Sequence, residues 1–208
     1  MTYNSFNFLQ FTQPHTDSTI GSFLAYPDSE EIELALAVEL TGIPLSKEGK
    51  FKISVVPELT SAPPDNYEIA PEFIFGPNRT VDSCRIKLRK TPEISKKSLS
   101  LVLELCETDD FKTGQSEYCI ARIHITNVLS KPTWWNDKIT RYYLGDYSDK
   151  KYLLFIKITG KSEINPQDEE EVRYNTLLLK YHLIKEKEAG RTVYEDNGLE
   201  MQVNLIIG

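Results

Sequence analysis

The sequence predicts an antiparallel β-sandwich over residues 1–130 and a helical appendage over residues 131–208 that packs on it and closes in a terminal β-hairpin. Three observations carry this expectation. Apolar residues recur at a two-residue period in short runs, as strands with one buried face require. Turn segments rich in Gly and Pro separate those runs too closely for helical crossovers, which favours antiparallel pairing. After Pro132 the period lengthens to that of a helix, and the stretch from Pro132 to Tyr152 gathers both tryptophans, Trp134 and Trp135, with Tyr142, Tyr143, Tyr147 and Tyr152.

Phe6, Phe8, Leu9 and Phe11 read as a first strand, the polar segment Thr12 to Ser18 as a loop, and Ile20 to Leu24 as a second short strand. Ile32, Leu34, Leu36, Val38 and Leu40 form the clearest strand face, closed by Gly42 and Pro44. Phe51, Ile53 and Val55 alternate up to Pro57, and Pro63 and Pro64, which donate no ladder hydrogen bond, mark a loop. Short pieces follow at Tyr67 to Ile69 and Glu72 to Phe75. Val81, Cys84, Ile86 and Leu88 then resume the alternation, with a phase change at Asp82 and Ser83 that a bulge would explain. Leu99, Leu101, Leu103 and Leu105 give another face, and Cys119 through Ile125 the last.

Beyond Trp134, Gly145 divides two helical segments, and Ser148 is placed to cap the second, along which Tyr152, Phe155, Ile156 and Thr159 share a side. A third helix is predicted with Asn165 as cap, Pro166 at the first helical position and Asp168 to Glu171 near the positive end of the dipole. Tyr174, Leu177, Leu178, Tyr181 and Ile184 or Lys185 recur along it at helical spacing, and Ala189 and Gly190 mark its stop. Asn197-Gly198, flanked by alternating residues, signals the terminal hairpin.

At 208 residues the chain is long enough for one sizeable core, and with 40% hydrophobic and 11% aromatic residues it is expected to fold. A net charge of −7 opposes a nucleic-acid partner, whose phosphates demand clustered Lys and Arg. The one basic run, Arg85 to Lys90, alternates with Ile86 and Leu88 and reads as the solvated face of a strand. No apolar run approaches the ~20 residues that span a bilayer. Three cysteines without CxxC spacing write neither a zinc site nor a disulfide framework; Cys84 and Cys119 read as small core residues.

Catalytic chemistry finds little support in the pattern. Cys119 and His124, five apart on one strand, point to opposite faces. His15 and His182 share no metal-binding spacing, so no metal is expected, and no nucleotide fingerprint implies a cofactor. The carboxylate pairs Asp109/Asp110 and Asp146/Asp149 match ordinary loop composition as well as they match a glycosidase. Trp134 and Trp135 are the candidate binding residues, because ring faces stack on sugars or accept apolar anchors; packing where helices meet a sandwich is the competing role.

Two resemblances enter at these residues. The stretch Asp65 to Ile69, then Phe73 to Pro77, an alternating strand, and Leu99 to Leu105 resemble the Calx-beta pattern, an immunoglobulin-like sandwich, across roughly residues 30 to 110. Calx-beta calcium sites use clustered acidic residues in the loops, whereas residues 91 to 97 here read Thr-Pro-Glu-Ile-Ser-Lys-Lys. The whole chain is similar to a lipoprotein family of Bacteroides-type bacteria built on a domain of unknown function. Asn66-Tyr67, Asp110 to Gly114, Lys131 to Trp135 and Leu144 to Tyr152 carry that match. In that family the lipid-bearing cysteine would precede Met1.

This resemblance implies a non-catalytic accessory or binding protein of the cell envelope, tethered to the outer membrane and associated with a nutrient-import system. Its partner would be an envelope protein. A carbohydrate-binding module is the alternative, and a glycoside hydrolase a weaker one.

Overall fold

The computed structural model describes residues 7–205. The chain forms two compact units, Met1–Val128 and Leu129–Gly208. Phe6, read into the first strand, lies outside the described residues.

The first unit is a β-sandwich of two five-stranded sheets. Its strands are β1 (Phe8–Phe11), β2 (Thr19–Ser22), β3 (Glu31–Thr41), β4 (Gly49–Val55), β5 (Tyr67–Glu68), β6 (Phe73–Phe75), β7 (Val81–Arg89), β8 (Leu99–Cys106), β9 (Lys112–Thr113) and β10 (Ile120–Thr126). One sheet has the order β5-β7-β3-β1-β9 and the other β2-β10-β8-β4-β6. The predicted fold class, mainly β with an immunoglobulin-like sandwich and a helical C-terminal part, is the one observed; the first unit adds only short 3-10 turns among its described residues. Strands shorter than four residues add to the seven or so that the alternation marks.

The N-terminal segment serves both sheets. β1 pairs antiparallel with β3 and parallel with β9, the chain crosses through Thr12 to Ser18, and β2 then pairs parallel with β10. The buried side chain of Gln10 helps hold β1: its amide donates to Glu39 Oε1 at 2.7 Å and its carbonyl accepts from the Gln115 amide at 3.2 Å.

Alternation places the core as the sequence reads. Leu36, Val38, Leu40, Phe51, Ile53, Ile86, Leu88, Leu101, Leu103, Ile123 and Ile125 are all buried between the sheets. The β3–β7 ladder runs unbroken from Glu31↔Arg89 to Glu39↔Val81, so the expected bulge at Asp82 and Ser83 is absent. Val81 is 50% exposed, on the outer face, and it is this orientation that mimicked a change of phase. The basic run lies on that outer face among carboxylates. Arg85 pairs with Glu33 at 3.3 Å, Arg89 with Glu31 at 3.0 Å and also with Glu68, and Lys87 lies within 3.9 Å of Glu31.

Cys84 is fully buried, and burial pushes its thiol up to about 12. Cys119 departs from expectation. It ends a short turn before β10, half-buried, with its thiol donating to Gln115 O at 3.1 Å. The thiolate is the nucleophile, so in native protein at pH 8 Cys84 is expected to resist alkylation while Cys106 and Cys119 react. Peptide mass spectrometry after timed labelling checks this; equal labelling of Cys84 would mean that the sandwich opens readily.

The second unit is helical: α1 (Asp137–Ile139) continuing into a π-turn at Thr140–Leu144, then α2 (Asp149–Thr159) and α3 (Glu169–Glu188). As expected, Ser148 caps α2, accepting from the Lys151 amide at 3.0 Å; Gly160 closes the helix in the left-handed region. α3 begins later than predicted. Asp168, not Asn165, is its cap, accepting from the Glu171 amide at 3.0 Å. Asn165 instead accepts from the Gln167 amide at 3.0 Å, a local turn that competes with helix entry.

The apolar residues that recur along α3 are not the ones it buries. Val172, Asn175, Thr176 and Leu179 are buried, whereas Tyr174 is 64% exposed, Tyr181 54% and Ile184 40%. The terminal hairpin forms around Asn197-Gly198 but among the described residues keeps a single bridge, Tyr194↔Glu200. Beyond it the tail leaves its own ladder to serve the π-turn. The Asn204 amide donates to Tyr143 O at 2.7 Å and its side chain to Thr140 O at 3.0 Å, which supplies carbonyls that a helix end leaves without partners.

Candidate functional site

The richest cluster of polar and aromatic side chains lies in the second unit. Asn136 caps α1, accepting from the Ile139 amide at 3.1 Å, and so fixes Trp134 and Trp135 just before the helix. The two indoles stack with centroids 5.5 Å apart and planes at 23°, and Tyr152 and Phe155 of α2 pack against both. Tyr147 meets Trp135 edge-on at 5.2 Å. Each indole N–H is satisfied: Trp134 donates to Ser162 O at 2.9 Å and Trp135 to Gly145 O at 3.1 Å. Gly145, at φ 75°, is the positive-φ corner that turns this carbonyl toward the ring.

Trp134 is 3% exposed and Trp135 1%, so neither ring face is open to a sugar. These are packing geometries with their polar edges tied down. Desolvation, with Asp149 beside one of them, raises the phenols of Tyr147 and Tyr152 well above their ordinary value. The Glu163 carboxyl is pushed up to about 7 by desolvation, although much of that residue remains open to water, which limits the effect.

Behind the cluster lies a buried charge that the sequence did not reveal. Lys151 is 4% exposed. Its ammonium pairs with Glu195 Oε1 at 3.2 Å and donates to Asp146 O at 2.9 Å and Leu144 O at 3.3 Å. Glu195 Oε2 accepts from the Ser148 hydroxyl at 2.6 Å. One helix cap, one lysine and one carboxylate therefore form a closed network joining α2 to the terminal turn. It borders an open depression of about 410 Å³ lined also by Asn197, Leu199 and Gln202. A lysine in the first turn of a helix normally reads as solvated, which is why sequence reasoning passed over it.

The other candidates do not converge. Asp109 and Asp110 line a cleft of about 600 Å³ in the first unit, but Asp110 accepts from the Lys50 amide at 2.8 Å while Thr108 donates to Lys50 O at 2.9 Å. The pair of contacts fixes the start of β4. Asp149 accepts from the Tyr147 hydroxyl at 2.7 Å, and Asp146 contributes its backbone carbonyl to Lys151. His15 Nδ1 lies 3.0 Å from Glu117 O. Among the described residues no group of three His, Cys, Asp or Glu side chains is placed to hold a metal ion. No described helix is long and apolar enough to cross a membrane.

The remaining surface feature is the outward side of α3. Tyr174, Tyr181 and Ile184 are exposed and Leu177 and Leu178 half-buried, so the apolar positions that recur along this helix are presented outward.

No curated protein is similar to the chain. Several solved structures are. A Bacteroides ovatus protein of unknown function is 16% identical with a TM-score of 0.44, over 57% of this chain and 44% of its own. The CBD12 structure from CALX1.2 is 13% identical with a TM-score of 0.41, over 57% and 44%. A candidate carbohydrate-binding protein from Bacteroides ovatus is 12% identical with a TM-score of 0.43, over 59% and 37%. The chain thus spans less than half the length of each of these. Residues 2–161 match the family described as Domain of unknown function (DUF4843), and the chain belongs to that family.

Proposed function

We propose that the chain is a non-catalytic binding or accessory module of the bacterial cell envelope, acting by protein contact. The observation that carries this reading is the outward apolar stripe of α3, because aromatic side chains presented on a rigid helix are the usual anchors of protein recognition. Two further points support it. The side chains with reactive chemistry near the aromatic cluster, Ser148, Lys151 and Glu195, are occupied with one another. The part of the proposal that places the chain in the envelope, through a lipid anchor and beside an import system, is supported by the resemblance of Lys131 to Trp135 and Leu144 to Tyr152 to a Bacteroides-type lipoprotein family.

Immobilised wild-type chain and a Tyr174→Ala/Tyr181→Ala variant, both incubated with envelope extract, test the reading. Capture of a discrete partner by the wild type and its loss in the variant, at unchanged melting temperature, is the expected result. A glycan array run alongside separates the sugar-binding alternative, which would stand if Trp134→Ala or Trp135→Ala abolished binding without changing stability. Hydrolase activity removed by changing Asp109, Asp110, Asp146 or Asp149 would overturn the non-catalytic assignment.

A further inference from the structure

We infer that the occupant of the outward face of α3 is a second copy of this chain, docked with its own α3 antiparallel; this names the partner of the surface just described and rests on that reading. Glu170, Tyr174, Leu177, Leu178, Tyr181 and Lys185 share one side of the helix, opposite the buried Val172, Thr176 and Leu179. Read from the N-terminal end, the stripe runs acid, tyrosine, leucine. Read from the C-terminal end it runs base, tyrosine, leucine, at the same spacings. A two-fold axis between Leu177 and Leu178 therefore sets Tyr174 against Tyr181 of the partner copy, leucine against leucine, and Glu170 against Lys185 twice over.

This is the self-complementarity that an isologous contact requires. Antiparallel alignment also opposes the two helix dipoles favourably. Charge placement on α3 points the same way. Glu169, Glu171, Glu186 and Lys187 are each paired within the chain, to Lys138, Lys161, Arg191 and Glu200. Among the described residues no such pair involves Glu170 or Lys185, the two charges that flank the stripe.

A 20-residue helix is about 30 Å long, so one helix-on-helix contact lies at the low end of specific interface sizes. A weak dimer, with a dissociation constant on the order of micromolar, is therefore the expected case. Sedimentation velocity over a concentration series with the full chain tests the inference. Wild type should pass from monomer to dimer, and Tyr174→Ala/Tyr181→Ala should remain monomeric. Glu170→Lys and Lys185→Glu should each weaken the dimer roughly tenfold, since each turns two attractive pairs into repulsive ones. The double variant Glu170→Lys/Lys185→Glu should recover it, and an equimolar mixture of the two single variants should form a heterodimer tighter than either alone.

A wild type that stays monomeric throughout, or a dimer indifferent to these charge reversals, overturns the inference. The protein-contact reading fails separately: it survives if a monomeric wild type still captures an envelope partner through Tyr174 and Tyr181. The inference in turn survives blank extracts if the charge-reversal pattern holds.

Discussion

Replacement of Trp135 by alanine is expected to destabilise the helical unit by about 3–5 kcal/mol, the usual cost of removing a buried aromatic ring. Trp135 is 1% exposed and stacked on Trp134, and it makes edge contacts with Tyr147 and Tyr152. Its deletion empties the centre of the aromatic cluster and leaves Gly145 O without its indole donor. A domain of this size has a total stability of about 5–15 kcal/mol, so the loss is enough to unfold the unit under mild conditions. Both tryptophans lie at positions 134 and 135, so intrinsic tryptophan fluorescence reports on this unit alone, and in the variant Trp134 remains as the probe. Urea titration should show the fluorescence midpoint falling while far-ultraviolet dichroism of the sandwich holds. A shift below about 1 kcal/mol would contradict the packing role.

The second large effect concerns the buried ion pair. Glu195→Leu leaves the Lys151 ammonium with only backbone carbonyls, in a site where the lysine and glutamate side chains are 6% and 14% exposed. Breaking one side of such a pair typically costs about 3–5 kcal/mol, whereas replacing both partners with apolar residues is often near neutral. The double variant Lys151→Met/Glu195→Leu should therefore be more stable than Glu195→Leu, and the coupling energy from the double-mutant cycle should be large. If each single change cost less than about 1 kcal/mol, the pair would behave like a surface contact and the network would have no structural weight.

The strands were legible because one side of each is buried, and a two-residue period then records burial directly: Leu36 and Val38, or Ile86 and Leu88, could be read straight from the chain. Helix α3 was legible as a helix but its orientation was not. Its inward side carries Asn175 and Thr176, whose side chains are satisfied by their own helix, donating to Glu171 O and Val172 O at 2.8 Å. Polar residues that bond backward to the helix can enter a core without another element to receive them, so the recurrence of Tyr174, Leu177, Leu178 and Tyr181 at helical spacing did not reveal which side is buried. Lys151 was hidden for a related reason. Its partners, Leu144 O, Asp146 O and Glu195, come from a turn and a distant segment that only the folded chain brings together. The candidate site was thus legible in its aromatic composition, with packing weighed against binding for Trp134 and Trp135, and not in the buried ion pair behind it.

The parallel pairings of the N-terminal segment bear on the order in which the chain can be assembled. Among the described residues β2 has its ladder partner only in β10, and β9, which flanks β1, is made almost as late. The long β3–β7 ladder can form as soon as its residues are available, but the second sheet cannot be completed at its β2 edge until position 126 has left the ribosome. Pairings so distant in sequence make folding slow, and until they form the apolar inner sides of both sheets have incomplete cover. A nascent chain stalled before β10 would expose those sides, so demand for a holding chaperone should be greatest just before synthesis of the helical unit begins.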